Sequence, residues 1–226
     1  MKILLLPLLL IRLALPLAAG ENFTMGSVVK SDKWKMDRAN DREIFDGNVS
    51  FRNPRYTLQA DYALYTRPVQ TWNIKGDVYT LRRFDDKSQV EVYCDHAIYK
   101  EASEEAFLDG VGRPVRMKYT GADGRVLTGH SLTAKAENKT GFMYFDGDFA
   151  LSTENLDMFS GMALYSTAER SFTLHESTPL AVGTREGYNF AINADKIKFF
   201  RDSRDTKFYN NVTGWVKDSL PAVKKP

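Results

Sequence analysis

The segment Ala60-Asp61-Tyr62-Ala63-Leu64-Tyr65 recurs closely as Cys94-Asp95-His96-Ala97-Ile98-Tyr99. Similar segments begin at residues 160 and 194, and weaker ones begin at residues 31 and 129, so successive copies start 29 to 35 residues apart. Self-similarity at such a period is typical of stacked repeat architectures, in which each unit buries its apolar face on its neighbours. The sequence therefore predicts six copies of one structural unit.

A second landmark follows each copy. It is an apolar residue and then a turn rich in Gly or Asn, as in Phe45-Asp46-Gly47-Asn48-Val49 and Ile74-Lys75-Gly76-Asp77-Val78. The two landmarks lie 16 residues apart in five copies, and with a start at Gly129 the interval is two residues longer in the fourth copy. Gly and Asn tolerate the left-handed backbone of tight turns. Each unit is therefore expected to turn at one fixed place.

Within the units, apolar and polar residues alternate with a period of two, which indicates β-strands with one buried face. The buried parity changes across the Ala-Asp dipeptide, and a bulge or sharp corner there would restore the inward face. The predicted inward-facing residues are Trp34, Met36, Phe45, Val49, Leu58, Ala63, Tyr65, Ile74, Val78, Ala97, Tyr99, Leu108, Leu132, Phe145, Phe149, Tyr165, Leu174, Ile197, Phe199, Phe208 and Val212.

Polar turns between the units mark hairpins, and they divide each unit into about three short strands, some 15 to 18 in all. Helix-type spacing is missing after residue 25, and Gly110 to Pro114 is the expected kink in the series. The sequence therefore predicts an all-β fold of stacked strands.

Composition limits the class of function. The chain has 226 residues, of which 43% are apolar and 27% are charged, enough for one large all-β domain. Without Lys2 and Arg12, both within residues 1–20, it carries 29 basic and 29 acidic side chains. A nucleic-acid-binding protein needs a basic stripe, and none is visible. Cys94 is the only cysteine, so it is expected to be a small, buried, inert thiol.

The first twenty residues are typical of a signal peptide. Lys2 supplies a positive start, residues 3–17 are rich in Leu, and Ala18-Ala19-Gly20 offers a cleavage site. The alternative is an uncleaved inner-membrane anchor, although the apolar stretch contains Arg12 and is shorter than the ~20 residues of a typical span. Residues 21–219 are then the folded domain, and residues 220–226 are a disordered tail.

The Ala-Asp-x-Ala-x-Tyr strand, followed at a fixed interval by Asp-Gly-Asn-Val or Gly-Asp-Val, resembles the OstA-like family. This family comprises the periplasmic lipopolysaccharide-transport proteins LptA and LptC and the N-terminal domain of LptD. The resemblance covers roughly residues 27–217, and it is closest in residues 60–78 and 45–51. The fourth and fifth copies depart most from the pattern.

The resemblance implies an elongated β-jelly roll of V-shaped strands with two open ends, located in the periplasm. Such domains dock end to end and carry the acyl chains of lipopolysaccharide along an apolar groove between an inner-membrane transporter complex and an outer-membrane translocon. The signal-like start favours a soluble LptA-type bridge, while an LptC-type component with an N-terminal anchor stays open. The first strand (residues 28–36) and the last (residues 208–217) are the expected docking edges.

The inward residues also suit a lipid carrier on physical grounds, because an acyl chain gains ~0.8 kcal/mol for each CH₂ that it buries. The sequence does not decide between an open groove and a filled core.

Recognisable catalytic and phosphate-binding motifs are missing from the sequence, which predicts no catalytic residues, no cofactor and no metal site. Two functions besides lipid transport stay open. A carbohydrate-active β-solenoid would stack Asp61, Asp95 and Asp195 in a ladder. A non-enzymatic envelope scaffold would need aromatic side chains on the outer face, for which the candidates are Tyr62, Tyr79 and Tyr119.

Overall fold

The computed structural model describes residues 28–218, which form strands, turns and one short 3₁₀ helix (Arg67–Val69). The expected signal peptide and the expected C-terminal tail lie outside the described residues. The strands are β1 (Val28–Lys30), β2 (Lys33–Asp37), β3 (Arg42–Arg52), β4 (Tyr56–Thr66), β5 (Thr71–Arg83), β6 (Gln89–Lys100), β7 (Glu105–Asp109), β8 (Val115–Thr120), β9 (Val126–Ser131), β10 (Thr133–Glu137), β11 (Phe142–Ser152), β12 (Leu156–Ser166), β13 (Ser171–His175), β14 (Leu180–Arg185), β15 (Tyr188–Asn193), β16 (Lys196–Phe200), β17 (Thr206–Tyr209) and β18 (Thr213–Asp218). The all-β prediction is confirmed.

The strands build two antiparallel layers. The first layer runs β2–β3–β4–β5–β6–β7–β10–β11–β12–β13–β16–β17. The second layer runs β1–β3–β4–β5–β6–β8–β9–β11–β12–β14–β15–β18. Six long strands (β3, β4, β5, β6, β11 and β12) take part in both layers, so the layers meet along a line of corners.

Each corner is built from the second landmark of the repeat. In β3, Gly47 and Asn48 together oppose the single residue Asp61 of β4. Both have positive φ values, +75° and +49°, the left-handed region that Gly and Asn enter most readily. The extra residue bends the strand into the other layer. The predicted change of parity is confirmed, because Ala60 and Ala63 are both buried on either side of Asp61.

The fourth copy has the same corner, but its unit starts two residues later than the sequence predicted. The backbone N–H of Leu132 donates to the carbonyl of Gly147, just as Asp32 donates to Gly47. The unit therefore begins at Ser131, the interval is 16 residues here too, and the start at Gly129 is wrong. Leu132 takes the corner position that Asp32 holds in the first unit, so its predicted inward position is wrong.

The corner serines support this alignment. In each of the three units that begin with serine, the hydroxyl donates to the carbonyl oxygen two residues further along. The pairs are Ser31 to Lys33 at 3.0 Å, Ser131 to Thr133 at 2.8 Å and Ser160 to Met162 at 2.7 Å. The residue that begins the unit is buried in five of the six units, so a small side chain suits this position.

One row of inward side chains crosses the entire first layer in register. In much of the row large residues alternate with Ala, which leaves room for the neighbours across the strands. This apolar row consists of Trp34, Phe45, Ala63, Ile74, Ala97, Leu108, Ala134, Phe145, Ala163, Leu174, Ile197 and Phe208. Full burial of each large member stabilises the fold by about 1.5–3 kcal/mol.

Candidate functional site

The interior between the two layers collects most of the residues that the sequence predicted to face inward. Thirteen of them are buried: Phe45, Val49, Leu58, Ala63, Ile74, Val78, Ala97, Phe145, Phe149, Tyr165, Leu174, Ile197 and Phe199. Four more are partly buried and pack against the same core: Tyr65, Tyr99, Leu108 and Phe208. Contacts across the interior join the layers, as in the Phe51 and Trp72 rings at 5.2 Å.

The other four predicted residues are exposed. Trp34 lies opposite Phe45 on the inner face, but it is 59% exposed because β2 is an edge strand of the described sheet. Met36, on the same strand, is exposed for the same reason. Leu132 is 53% exposed because it occupies the corner, and Val212 is exposed because it lies in the last described turn. The predicted interior therefore holds in the middle of the molecule and opens at both ends.

The interior is packed with side chains in this structure. Leu151, Met158 and Leu174 are fully inaccessible to solvent, and so are Ala181 and Ile197. An acyl chain would therefore need to displace these contacts or part the layers. The sequence left the choice between groove and filled core open, and the described state is the filled one.

A second inward row of aromatic residues runs beside the first, on the side away from the corners. The turns that join neighbouring strands on that side are called the tips of the layers. Tyr65 stacks on Trp72 at 4.7 Å, and Tyr165 lies against Phe172 at 4.7 Å. Trp72 and Phe172 were missed from sequence, although each lies two residues before a predicted inward position and so has the inward parity. Continuing the period-2 pattern along the strand would have found both.

Glu101 anchors the aromatic row at its rim. The Tyr65 hydroxyl and the Trp72 Nε1 both donate to its carboxylate at 2.9 Å. Burial and the neighbouring Glu101 raise the pKa of Tyr65 to about 12. Tyr65 therefore stays neutral at physiological pH and presents an apolar ring with one satisfied polar end.

The two ends of the sheet carry unpaired edges. Within residues 28–218, β1 and β2 each pair on one side only, and so do β17 and β18. Apolar side chains are exposed at both ends: Val28, Val29, Trp34 and Met36 at the first, and Val212, Trp215 and Val216 at the second. Edge strands with apolar side chains are sites for strand addition.

The aspartates of the carbohydrate-active hypothesis serve the corners. Asp195 accepts a hydrogen bond from the side chain of Asn211 at 2.9 Å. Asp95 forms an ion pair with Arg113, and the Asp61 carboxylate lies against the backbone of Gly76. Asp95 and Asp195 therefore have polar partners at their corners, and Asp61 is packed into its corner beside Gly76.

The aromatic residues that the scaffold hypothesis needs on the outer face lie on three different strands. No group of three potential metal ligands occurs within residues 28–218. Tyr119 packs against the core, so its predicted outward position is wrong. Tyr79 lies against Tyr93 at 5.0 Å, and Tyr62 is half-buried.

Cys94 is buried and free, as the sequence predicted. Burial and the nearby Asp95 raise the pKa of its thiol to about 12. The nucleophilic form is the thiolate, so this side chain is unreactive while the protein is folded.

Comparison with known proteins identifies a family. The sequence model described as "LptA/(LptD N-terminal domain) LPS transport protein" matches residues 28–169, which is more than half of the chain. Among solved structures, the chain is similar to LptH, the LptA homologous periplasmic component of the conserved lipopolysaccharide transport device from Pseudomonas aeruginosa. The identity is 11%, the TM-score is 0.34, and the alignment covers 67% of this chain and 82% of that chain. No curated protein sequence matches. No helix within residues 28–218 is long and apolar enough to cross a membrane.

Proposed function

The chain belongs to the LptA/(LptD N-terminal domain) family of LPS transport proteins, and from this premise we propose that it carries lipopolysaccharide through the periplasm with the acyl chains held between its two layers. The protein would perform no reaction of its own. Energy for transport would come from the other components of the transport system.

The apolar row is the observation that carries this proposal. It runs from Trp34 at one end of the first layer to Phe208 at the other, and every member is apolar. An acyl chain that replaces side-chain contacts along the row gains ~0.8 kcal/mol for each CH₂ buried, so several chains would offset the loss of core packing. The row therefore favours alkyl chains over polar ligands.

The free tips of the layers are the side at which we infer that the lipid enters. The corners are held by continuous strands, whereas the tips formed by the β8–β9 and β16–β17 turns meet through side chains. Arg125 donates to the carbonyl of Asp202 at 3.2 Å, and the Arg201 guanidinium lies 4.4 Å from the centre of the Tyr119 ring. Parting these contacts exposes the aromatic row first.

An LptA-type bridge is the role that we favour. The four edge strands and their exposed apolar side chains would allow the sheet to continue into another copy or into a similar domain of the transport system. The LptC-type role requires residues 1–20 to stay attached as an anchor. The mass of the exported protein distinguishes the two, because cleavage after Gly20 removes the first twenty residues.

Site-specific photocrosslinking tests where the lipid lies. Tyr99 projects inward and is half-buried, while Tyr144 projects outward from the same layer and is exposed. With a photoreactive phenylalanine analogue at either position, we expect lipopolysaccharide to crosslink at position 99 and not at position 144. Equal crosslinking at the two positions, or crosslinking at 144 alone, would contradict an interior site.

A further inference from the structure

A polar pocket of about 220 Å³ lies where the tips of the two layers meet. The second layer contributes the β5–β6 and β8–β9 turns, and the first layer contributes the β12–β13 and β16–β17 turns. We call it the tip pocket, and its charged lining residues are Asp86, Asp123, Arg125, Arg170, Arg201, Asp202 and Arg204. Four arginines against three aspartates leave one positive charge in excess.

Two charged groups of the tip pocket, Arg204 and Asp86, have no ion pair with a described residue, and Asp86 accepts hydrogen bonds from Ser88 instead. Arg125 pairs with Asp123 at 2.5 Å. Arg170 and Arg201 share Asp202, each at 2.8 Å. Arg204 forms no ion pair with any described residue, and its Nε is buried without a hydrogen-bond partner.

An unpartnered guanidinium nitrogen in a buried position is costly, so natural proteins usually satisfy such groups. Burial lowers the pKa of Arg204, and the positive charges of Arg125 and Arg201 lower it further, so that together they outweigh the opposing effects of Asp123 and Tyr119. The surroundings of Arg204 are therefore short of negative charge, and a bound anion would supply it. Because Nε itself is inaccessible in the described conformation, the Arg204 side chain would have to turn before Nε could donate to that anion. Arginine suits phosphate because its planar fork matches two phosphate oxygens.

Aromatic side chains of the interior lie next to the arginines of the tip pocket. Arg201 Nη1 donates to the Tyr165 hydroxyl at 3.0 Å, and the Arg204 guanidinium lies 6.0 Å from the centre of the buried Phe199 ring. The cationic groups and the apolar row are thus separated by one layer of rings. A ligand that spans both must join an anionic group to an apolar chain.

We propose that the tip pocket binds a phosphate group, with Arg204 as its principal ligand, and that this phosphate belongs to the head group of the lipid whose acyl chains occupy the interior. The head-group assignment rests on the proposed function, whereas the phosphate site itself rests on the geometry of the pocket. Free inorganic phosphate shares the same chemistry and is the second source that the experiment distinguishes.

Calorimetric titration of the mature protein tests the proposal with three probes: a diphosphorylated, multiply acylated glucosamine disaccharide, the same lipid after enzymatic removal of its phosphates, and sodium phosphate. The variant Arg204→Gln removes the excess charge, and Arg204→Lys keeps the charge but not the fork. Arg185→Gln is the control, because Arg185 is an exposed arginine at the end of β14 that pairs with Glu186 at 3.4 Å. Thermal unfolding of each variant checks that the fold is intact.

We expect R204Q to bind the phosphorylated lipid at least tenfold more weakly than the wild type, R204K to fall between them, and R185Q to match the wild type. The dephosphorylated lipid should bind all four proteins equally. If sodium phosphate binds in an Arg204-dependent manner while the two lipids bind alike, the pocket is a site for free phosphate and the head-group assignment is wrong.

If neither sodium phosphate nor the phosphorylated lipid depends on Arg204, the tip pocket is not a phosphate site. Failure of both lipids to bind the wild type would instead overturn the proposed function. The sodium phosphate titration would still show whether the tip pocket binds phosphate.

Discussion

Gly76 shows how little room a corner leaves for a side chain. Its φ is +77°, and a Cβ built on it would overlap the Asp61 carboxylate. Gly124 has a similar φ of +80° in the β8–β9 turn, but nothing lies within 4 Å of its Cβ position. Substitution of Gly124 therefore measures the cost of a left-handed backbone alone. Substitution of Gly76 measures that cost together with the cost of the steric clash.

We expect Gly76→Ala to lower the free energy of unfolding by about 3 kcal/mol, because it adds a steric clash at the corner to the strain of a left-handed alanine. Gly124→Ala should cost about 1 kcal/mol, from the backbone alone. Urea unfolding of both variants measures the difference. Equal losses would mean that the Asp61 side chain turns away without penalty.

The alignment of the fourth unit makes a second prediction. Ala134 lies in the apolar row and is buried, whereas Leu132 takes the exposed corner position. Ala134→Asp should lower the free energy of unfolding by about 3–5 kcal/mol, because it buries a charge without a partner. Leu132→Asp should cost less than about 1 kcal/mol, as surface changes do.

Urea unfolding midpoints at neutral pH distinguish the two variants. The opposite order, with Leu132→Asp the more damaging, would restore the alignment that starts at Gly129.

Leu132 also explains why sequence reasoning failed at this unit. The corner position is Asp in four copies and Gly in another, so an apolar residue there was assigned to the neighbouring inward column. The backbone hydrogen bond between Leu132 and Gly147 depends on the 16-residue interval and not on the side chain. The constant 16-residue interval would have aligned this unit better than side-chain similarity did, because the backbone geometry repeats even where the side chains vary.

At the scale of elements, the sequence predicted that the strands exist but not which of them lie at the edges of the sheet. Alternation predicted the strands, and the structure has 18 of them within residues 28–218. The break between β7 and β8 at Gly110–Pro114 was also predictable, since proline has no N–H for the ladder. The exposure of Trp34 was not, because alternation reports which face a side chain takes and not whether another strand covers it.

The unpaired edge strands and their exposed apolar side chains lead us to expect self-association. In the end-to-end arrangement that we propose, Trp34 would be covered by the next molecule, so Trp34→Asp should weaken self-association at least tenfold while leaving folding unchanged. Val69→Asp is the control, because Val69 is equally exposed but lies in the 3₁₀ turn away from the edges. Sedimentation velocity over a range of protein concentrations measures the effect. Identical behaviour of the two variants would exclude the Trp34 end as a contact surface.

At the scale of the whole molecule, the two layers share one hydrophobic core. Residues from β3 to β16 belong to a single cluster, so we expect the units to unfold together rather than as separate bodies. Repetition made the stacking predictable from sequence. The packing of the interior was not predictable, because the same inward residues can line an open groove or fill a closed core. The distance between the layers determines which of the two forms, and the sequence pattern does not report that distance.

The line of corners has a mechanical consequence. Six strands pass through it without interruption, and backbone hydrogen bonds such as those of Asp32 and Asp195 close the breaks. The opposite side is closed largely by side chains at the tips. We therefore expect the angle between the two layers to vary more readily than the length of the molecule, because changing that angle disrupts side-chain contacts at the tips and leaves the strand pairing intact.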